Sequence, residues 1–235
     1  MKKLLIVTAA MVISLPLFAQ TYYPLYVAGD FNGWNAAGNV MTETSSGSGI
    51  WQVTLTGLTV GRHEFKITQG DWDWNYPGPN SWLYTDSSGN ITITYDQNTY
   101  ADGWSAASQR IGLNVDPGTW TATGDFQGWD NANPATAMTA MGGGIYEYTV
   151  TAVGSWNWKP VVTGTPTWDS ISWDNRSVGT ANWAFTVNPG EMANLYVNAL
   201  AGTAKVDIVA VPEPSTLALC ALSGLAMLAV LRKRQ

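Results

Sequence analysis

The heptad Gly29-Asp30-Phe31-Asn32-Gly33-Trp34-Asn35 returns as Gly124-Asp125-Phe126-Gln127-Gly128-Trp129-Asp130, 95 positions later. The same shift carries Gly49-Ile50-Trp51 onto Gly144-Ile145-Tyr146. An offset held over that distance means that the middle of the chain is one module written twice. Glycine and asparagine in the heptad permit the positive φ of tight turns. The repeat therefore marks a turn with a strand leading into it.

Strand text surrounds both turns. Residues 51–55 alternate apolar and polar with period two, the pattern of a half-buried strand, and residues 146–150 copy them. Residues 23–28, 63–67, 90–95 and 111–115 read as further strands of the first copy, and 156–160, 183–187 and 205–209 as strands of the second. Pro160 puts the end of its strand at an edge or bulge. Residues 69–82, rich in Gly, Pro, Asp, Asn and Trp, read as a loop. No segment holds a helical period, and short strands between turns mean a sandwich or barrel. The modules span 22–116 and 119–209, joined by the short linker Asp116-Pro117-Gly118. Units of roughly 90 residues can bury enough surface to fold alone.

The ends read differently. Residues 1–19 carry Lys2 and Lys3, an apolar stretch over 4–17 and a terminal Ala19, the pattern of a secretory signal peptide. Residues 211–235 contain Pro212-Glu213-Pro214, then fifteen uncharged residues over 217–231, then Arg232-Lys233-Arg234. That run is short for a span of about 20 residues, and reaches it when 214–216 are included. Its basic end belongs on the cytoplasmic side.

Composition narrows the function classes. Thirteen tryptophans with only 12% charged residues fit a secreted all-β protein better than a cytosolic helical enzyme. Between residues 20 and 211 there are six basic and sixteen acidic residues. No basic patch is available for phosphates, so nucleic acid is not the expected partner. The only cysteine, Cys220, lies in the apolar tail, so the modules hold no disulfide and no four-cysteine zinc site. The only histidine, His63, stands in strand text with no serine in a nucleophile motif, and reads as a strand-surface residue. Asp71, Asp73 and Asp169 raise a two-carboxylate glycosidase. Aspartate is common in such loops for turn reasons alone, and no carboxylate pair recurs between strands. The loops also lack the spacing of an EF-hand. The modules read as non-catalytic, with no metal and no cofactor.

Two resemblances are specific. Pro212-Glu213-Pro214, the apolar segment and the terminal basic cluster resemble a PEP-CTERM sorting signal. That implies a Gram-negative bacterium, an exosortase-type membrane peptidase as partner and transient anchoring in the inner membrane. The final location it implies is the cell surface or the exopolysaccharide. The modules resemble early-set, immunoglobulin-like starch- and glycogen-binding domains, carbohydrate-binding module family 48 and relatives, including modules embedded in amylopullulanases. The matching text is residues 27–35, Met41, 49–51, 61–67, 70–78 and 90–96, with a looser match in the second copy after Tyr148. This implies two tandem immunoglobulin-like β-sandwiches. It also implies an α-glucan or related exopolysaccharide lying across tryptophans with a lysine and an asparagine beside them. By motif these are Trp34, Lys66, Trp72 and Asn90, and in the second copy Trp129, Lys159, Trp168 and Asn182. Trp74, Trp82 and Trp173 crowd the same polar loops and join the expected sugar contacts.

The chemistry suits the residues. An exposed indole offers a flat apolar platform to the C–H face of a sugar and an N–H donor at its edge. Asparagine and lysine supply groups for hydroxyls. Tryptophans are also common core residues, and Trp51 and Tyr146, in alternating strands, read as structural. The rival expectation is a structural or adhesive matrix protein with no defined sugar site. An open face bearing Trp34, Lys66 and Trp72 favours the sugar, and buried indoles favour the rival.

Overall fold

The computed structural model describes residues 24–172, 175–177 and 181–211. The expected signal peptide, the expected sorting segment with Pro212, Glu213 and Pro214, and Trp173 lie outside the described residues. Among the described residues no helix is long and apolar enough to cross a membrane.

The first half forms strands β1 (Tyr26–Gly29), β2 (Asn39–Val40), β3 (Thr42–Glu43), β4 (Ile50–Leu55), β5 (Gly61–Thr68), β6 (Asn75–Thr85), β7 (Ile91–Asp96) and β8 (Arg110–Leu113). They make two antiparallel sheets, ordered β2-β1-β5-β6 and β3-β4-β7-β8. The second half forms β9 (Trp120–Gly124), β10 (Thr139–Gly142), β11 (Ile145–Val150), β12 (Gly154–Val162), β13 (Ser170–Ser172), β14 (Asn175–Ser177), β15 (Trp183–Val187), β16 (Glu191–Asn198) and β17 (Thr203–Ala210). Its sheets are β14-β13-β12-β15, with β9 also paired to β12, and β10-β11-β16-β17.

Period-two patterning explains the strands. On β7, Ile91, Ile93 and Tyr95 are fully buried while Thr92 and Thr94 face out. Those threonines meet Thr54 and Gln52 of β4 at 2.8 and 3.0 Å, cross-strand pairs of the kind that fix register. Trp51 and Tyr146 are buried in the first and second core respectively.

The expected pair of tandem immunoglobulin-like sandwiches is corrected by the packing of the halves. The four sheets close into a propeller-like ring of four blades. The first sheet meets the second across the first core, and the third meets the fourth across the second core. The ring closes where β6 packs on β14 and where the second sheet joins the fourth. At that last junction Leu113 N–H donates to Leu200 O and Ser105 N–H to Ala204 O, both at 2.7 Å. A side chain on Gly202 would collide with Ile111 O, so only glycine allows this approach.

Arg176, fully buried on β14, lies at the hub. Its guanidinium sits 4.7 Å from the Trp82 ring and donates to the carbonyls of Ile111 and Ala199. Its own carbonyl accepts from Ser81 Oγ. One residue of the third sheet thus reaches the other three. Burial pushes its pKa well below the ordinary arginine range, against the opposing pull of Asp116.

Three local expectations change. Much of the 69–82 loop is strand, because β6 runs through Pro77-Gly78-Pro79 at the break in the β5–β6 register. Prolines, which cannot donate to a ladder, are tolerated at such an irregularity. Pro160 is buried inside β12 and paired with Ala122. On β12, β15 pairs up to Trp158 and β13 from Val161, so Pro160 falls between those two partners. His63 is buried, with Nδ1 2.8 Å from Asp30 Oδ1 and Nε2 2.9 Å from Thr59 O.

Candidate functional site

The heptad folds as a short 3-10 turn, Asp30–Asn32, closed by Gly33 at φ 65°. Its polar side chains are consumed in holding it. Asn32 Oδ1 accepts from the N–H of Gly29 and Asn35, and its amide donates to Val27 O. Asp30 accepts from the Glu64 N–H and contacts His63, tying the turn to β5. Trp34 follows at φ 61°, a left-handed conformation rare for a bulky residue. Its N–H to Gly29 O bond of 2.8 Å fixes the backbone there. The turn is built to present one indole.

That indole meets Trp72, 45% exposed, with ring centroids 6.3 Å apart and planes at 45°. Trp34, Lys66, Trp72 and Asn80 line an open cleft of about 310 Å³. Among the described residues neither indole N–H has a hydrogen-bond partner, so both edges are available to a hydroxyl.

Lys66 has a different standing. Its ammonium donates to Asn75 Oδ1 at 2.9 Å, Pro77 O at 2.7 Å and Gly78 O. These acceptors account for all three donors. Lys66 thus pins the start of β6, which follows the Trp72 loop, and burial lowers its pKa. Asn80, absent from the sequence expectation, lines the same cleft and donates to Glu64 Oε2 at 2.7 Å.

The second copy keeps the scaffold and changes the surface. Gly124 pairs with Trp158 and Thr123 with Lys159, as Gly29 pairs with Phe65 and Ala28 with Lys66. Lys159 is therefore the counterpart of Lys66. It is buried, 5.5 Å from the Trp168 ring, and burial lowers its pKa. Trp129, also at φ 61°, spends its indole N–H on Asp125 Oδ1 at 2.8 Å. Its turn is tied to the Trp168 loop through Asn131, whose amide donates to Thr165 O at 2.8 Å.

The remaining expected residues lie elsewhere. Trp82 is fully buried in the second core, donating to Ser170 O at 3.0 Å. Trp74 packs against the first core beside Tyr95. Asn90 is exposed in the turn before β7, on the second sheet. Asn182 is exposed, one residue before the Trp183–Trp158 pair. Asp71 accepts from the Asp73 N–H in a local turn. Asp169 is fully buried, taking Arg62 Nε and Nη2 at 2.7 Å each and the Tyr84 hydroxyl at 2.5 Å. Asp169 raises the Arg62 pKa, and burial, then Asp169, raises that of Tyr84. Arg62 also pairs with Glu64 at 2.8 Å. Polar contacts thus run unbroken from Asn80 to the residue next to Trp168.

No family model matches the chain. It is similar to the 1,4-alpha-glucan branching enzyme GlgB of Aquifex aeolicus, 31% identical over 71 residues, which is 30% of this chain and 11% of that enzyme. It is also similar to the GlgB of Rhodopirellula baltica, 35% identical over 63 residues, 26% of this chain and 8% of that enzyme. The chain matches about a tenth of the length of these curated relatives. Among solved structures, SusF from Bacteroides thetaiotaomicron aligns with a TM-score of 0.33 and 15% identity, over 80% of this chain and 49% of that one. Pullulanase from Bacillus acidopullulyticus aligns with a TM-score of 0.29 and 12% identity, over 80% of this chain and 28% of that one.

Proposed function

We propose that this is a non-catalytic, exported polysaccharide-binding protein whose primary ligand is an α-glucan. The observation that carries the reading is the Trp34–Trp72 pair, open to solvent beside Lys66 and Asn80. Two tilted indoles suit a glucan that curves from one ring to the next, stacking on C–H faces and donating to the hydroxyl rim. Asn80, at the edge of the cleft, adds an amide of the kind that pairs with hydroxyls. The local similarity to two α-glucan branching enzymes supports a glucan over other neutral polymers. Trp168 beside Lys159 is a weaker second contact, and two contacts on one polymer raise avidity.

Export, handling of the tail by an exosortase-type peptidase and a place at the cell surface rest on residues 1–19 and 211–235 of the sequence. The test is native electrophoresis of the full chain in gels containing amylopectin or glycogen. Retardation relative to a control protein is expected, and unchanged mobility overturns the α-glucan reading.

A further inference from the structure

We propose a second saccharide cleft, separate from the Trp34–Trp72 platform, walled by Tyr76, Trp104 and Trp183 and suited to uncharged sugar rings. It rests on the reading of the chain as a polysaccharide binder. The cleft has a volume of about 470 Å³, within the range of small-ligand sites. Its walls come from both halves: Tyr76 from β6, residues 103–109 from the loop before β8, and Trp183 from the start of β15.

The lining chooses the ligand class. None of these residues carries a charge; beyond the aromatics they are glycine, alanines, serines and Gln109. Indole and phenol faces match sugar C–H groups, while hydroxyl and amide groups match the rim. The lining itself supplies no charge to pair with a phosphate or a carboxylate.

A further observation marks the cleft as built. The loop holds two non-glycine residues in the left-handed region, Ala106 at φ 46° and Gln109 at φ 60°. Strain of this kind persists where surrounding contacts impose it and clusters at ligand sites. Here the contacts are plain. Arg110 grips Asp102 with two bonds of 2.8 Å and donates to Ala106 O at 2.8 Å. Trp104 rests 6.4 Å from Tyr196, and the Lys205 ammonium lies 5.3 and 4.8 Å from the two rings. The wall is fixed before any ligand arrives, which lowers the ordering cost of binding.

The test is side-chain indole NMR of the full-length protein titrated with maltoheptaose, with signals assigned through Trp104→Phe and Trp183→Phe. Saturable shifts of the Trp104 and Trp183 indoles are expected, and they persist in a Trp34→Ala/Trp72→Ala background. In that background Trp104→Ala is expected to weaken the remaining binding at least fivefold. If the Trp34 and Trp72 signals move while those of Trp104 and Trp183 stay fixed, the cleft is overturned and the primary reading stands. If no indole moves, both fall.

Discussion

Trp34 and Trp129 occupy the same backbone position, at the same φ of 61°, yet present different chemistry. Trp129 spends its indole N–H on Asp125, whereas in the first copy Asp30 is engaged by His63 and the Trp34 edge stays open. One histidine therefore separates the copies. Lys66 makes a second lesson, because its three hydrogen bonds make it a positioning residue for the platform before it is a sugar contact. Lys66→Met is expected to cost about 1–3 kcal/mol in urea unfolding through the acceptors it strands, and to weaken amylopectin retardation. Unchanged stability would leave the lysine with no anchoring role. Trp34, Lys66 and Trp72 were named by the resemblance of the text around them to glucan-binding modules, and the fold brings the three to one cleft. Asn80 was not named, because Pro77 and Pro79 disguise β6 as loop. Read as a strand, β6 would have drawn attention to Asn80 ahead of Asn90.

At the scale of elements, β6 does the joining. Leu83 faces the first core while Trp82 and Tyr84 face the second, so one strand is shared between two hydrophobic interiors. Beside it, Arg62 and Tyr84 close on the buried Asp169. Asp169→Ala leaves the half-buried Arg62 with Glu64 alone and strands the Tyr84 hydroxyl, and a loss of about 1–3 kcal/mol is expected from the shift in urea midpoint. A loss under 1 kcal/mol would mean that the halves do not depend on this contact. The 100–109 loop gives a pH signature. Arg110 holds the Asp102 carboxyl down at about 2, below its ordinary value. A carboxyl depressed on folding adds stability above its unfolded pKa of roughly 4, and that increment disappears as pH falls through about 2. Thermal melts of the native protein and Asp102→Asn should therefore differ at pH 6 and converge toward pH 2. A constant gap would assign the effect to something other than charge.

Over the whole molecule, the duplication is plain in sequence but the assembly is not. Alternation along a strand reports which face is buried, and it cannot report which partner buries it. No sequence pattern singles out Arg176, and it is the ring that accounts for its burial among the blades. Trp82 reads as a loop tryptophan and proves to be the first half's contribution to the second half's core. With cores shared in this way, the described chain is expected to unfold in one calorimetric transition. Trp82→Ala is expected to lower it as a unit, by about 3–5 kcal/mol. Two resolved transitions would contradict the shared core. The platform itself is held by a turn, a strand and a lysine of one blade, and the proposed function rests on it. Isothermal titration of maltoheptaose into the full chain and into Trp34→Ala/Trp72→Ala tests it most directly. The dissociation constant is expected to rise at least tenfold in the variant, about 1.4 kcal/mol, with the melting temperature little changed. An equal constant in the two proteins would contradict it.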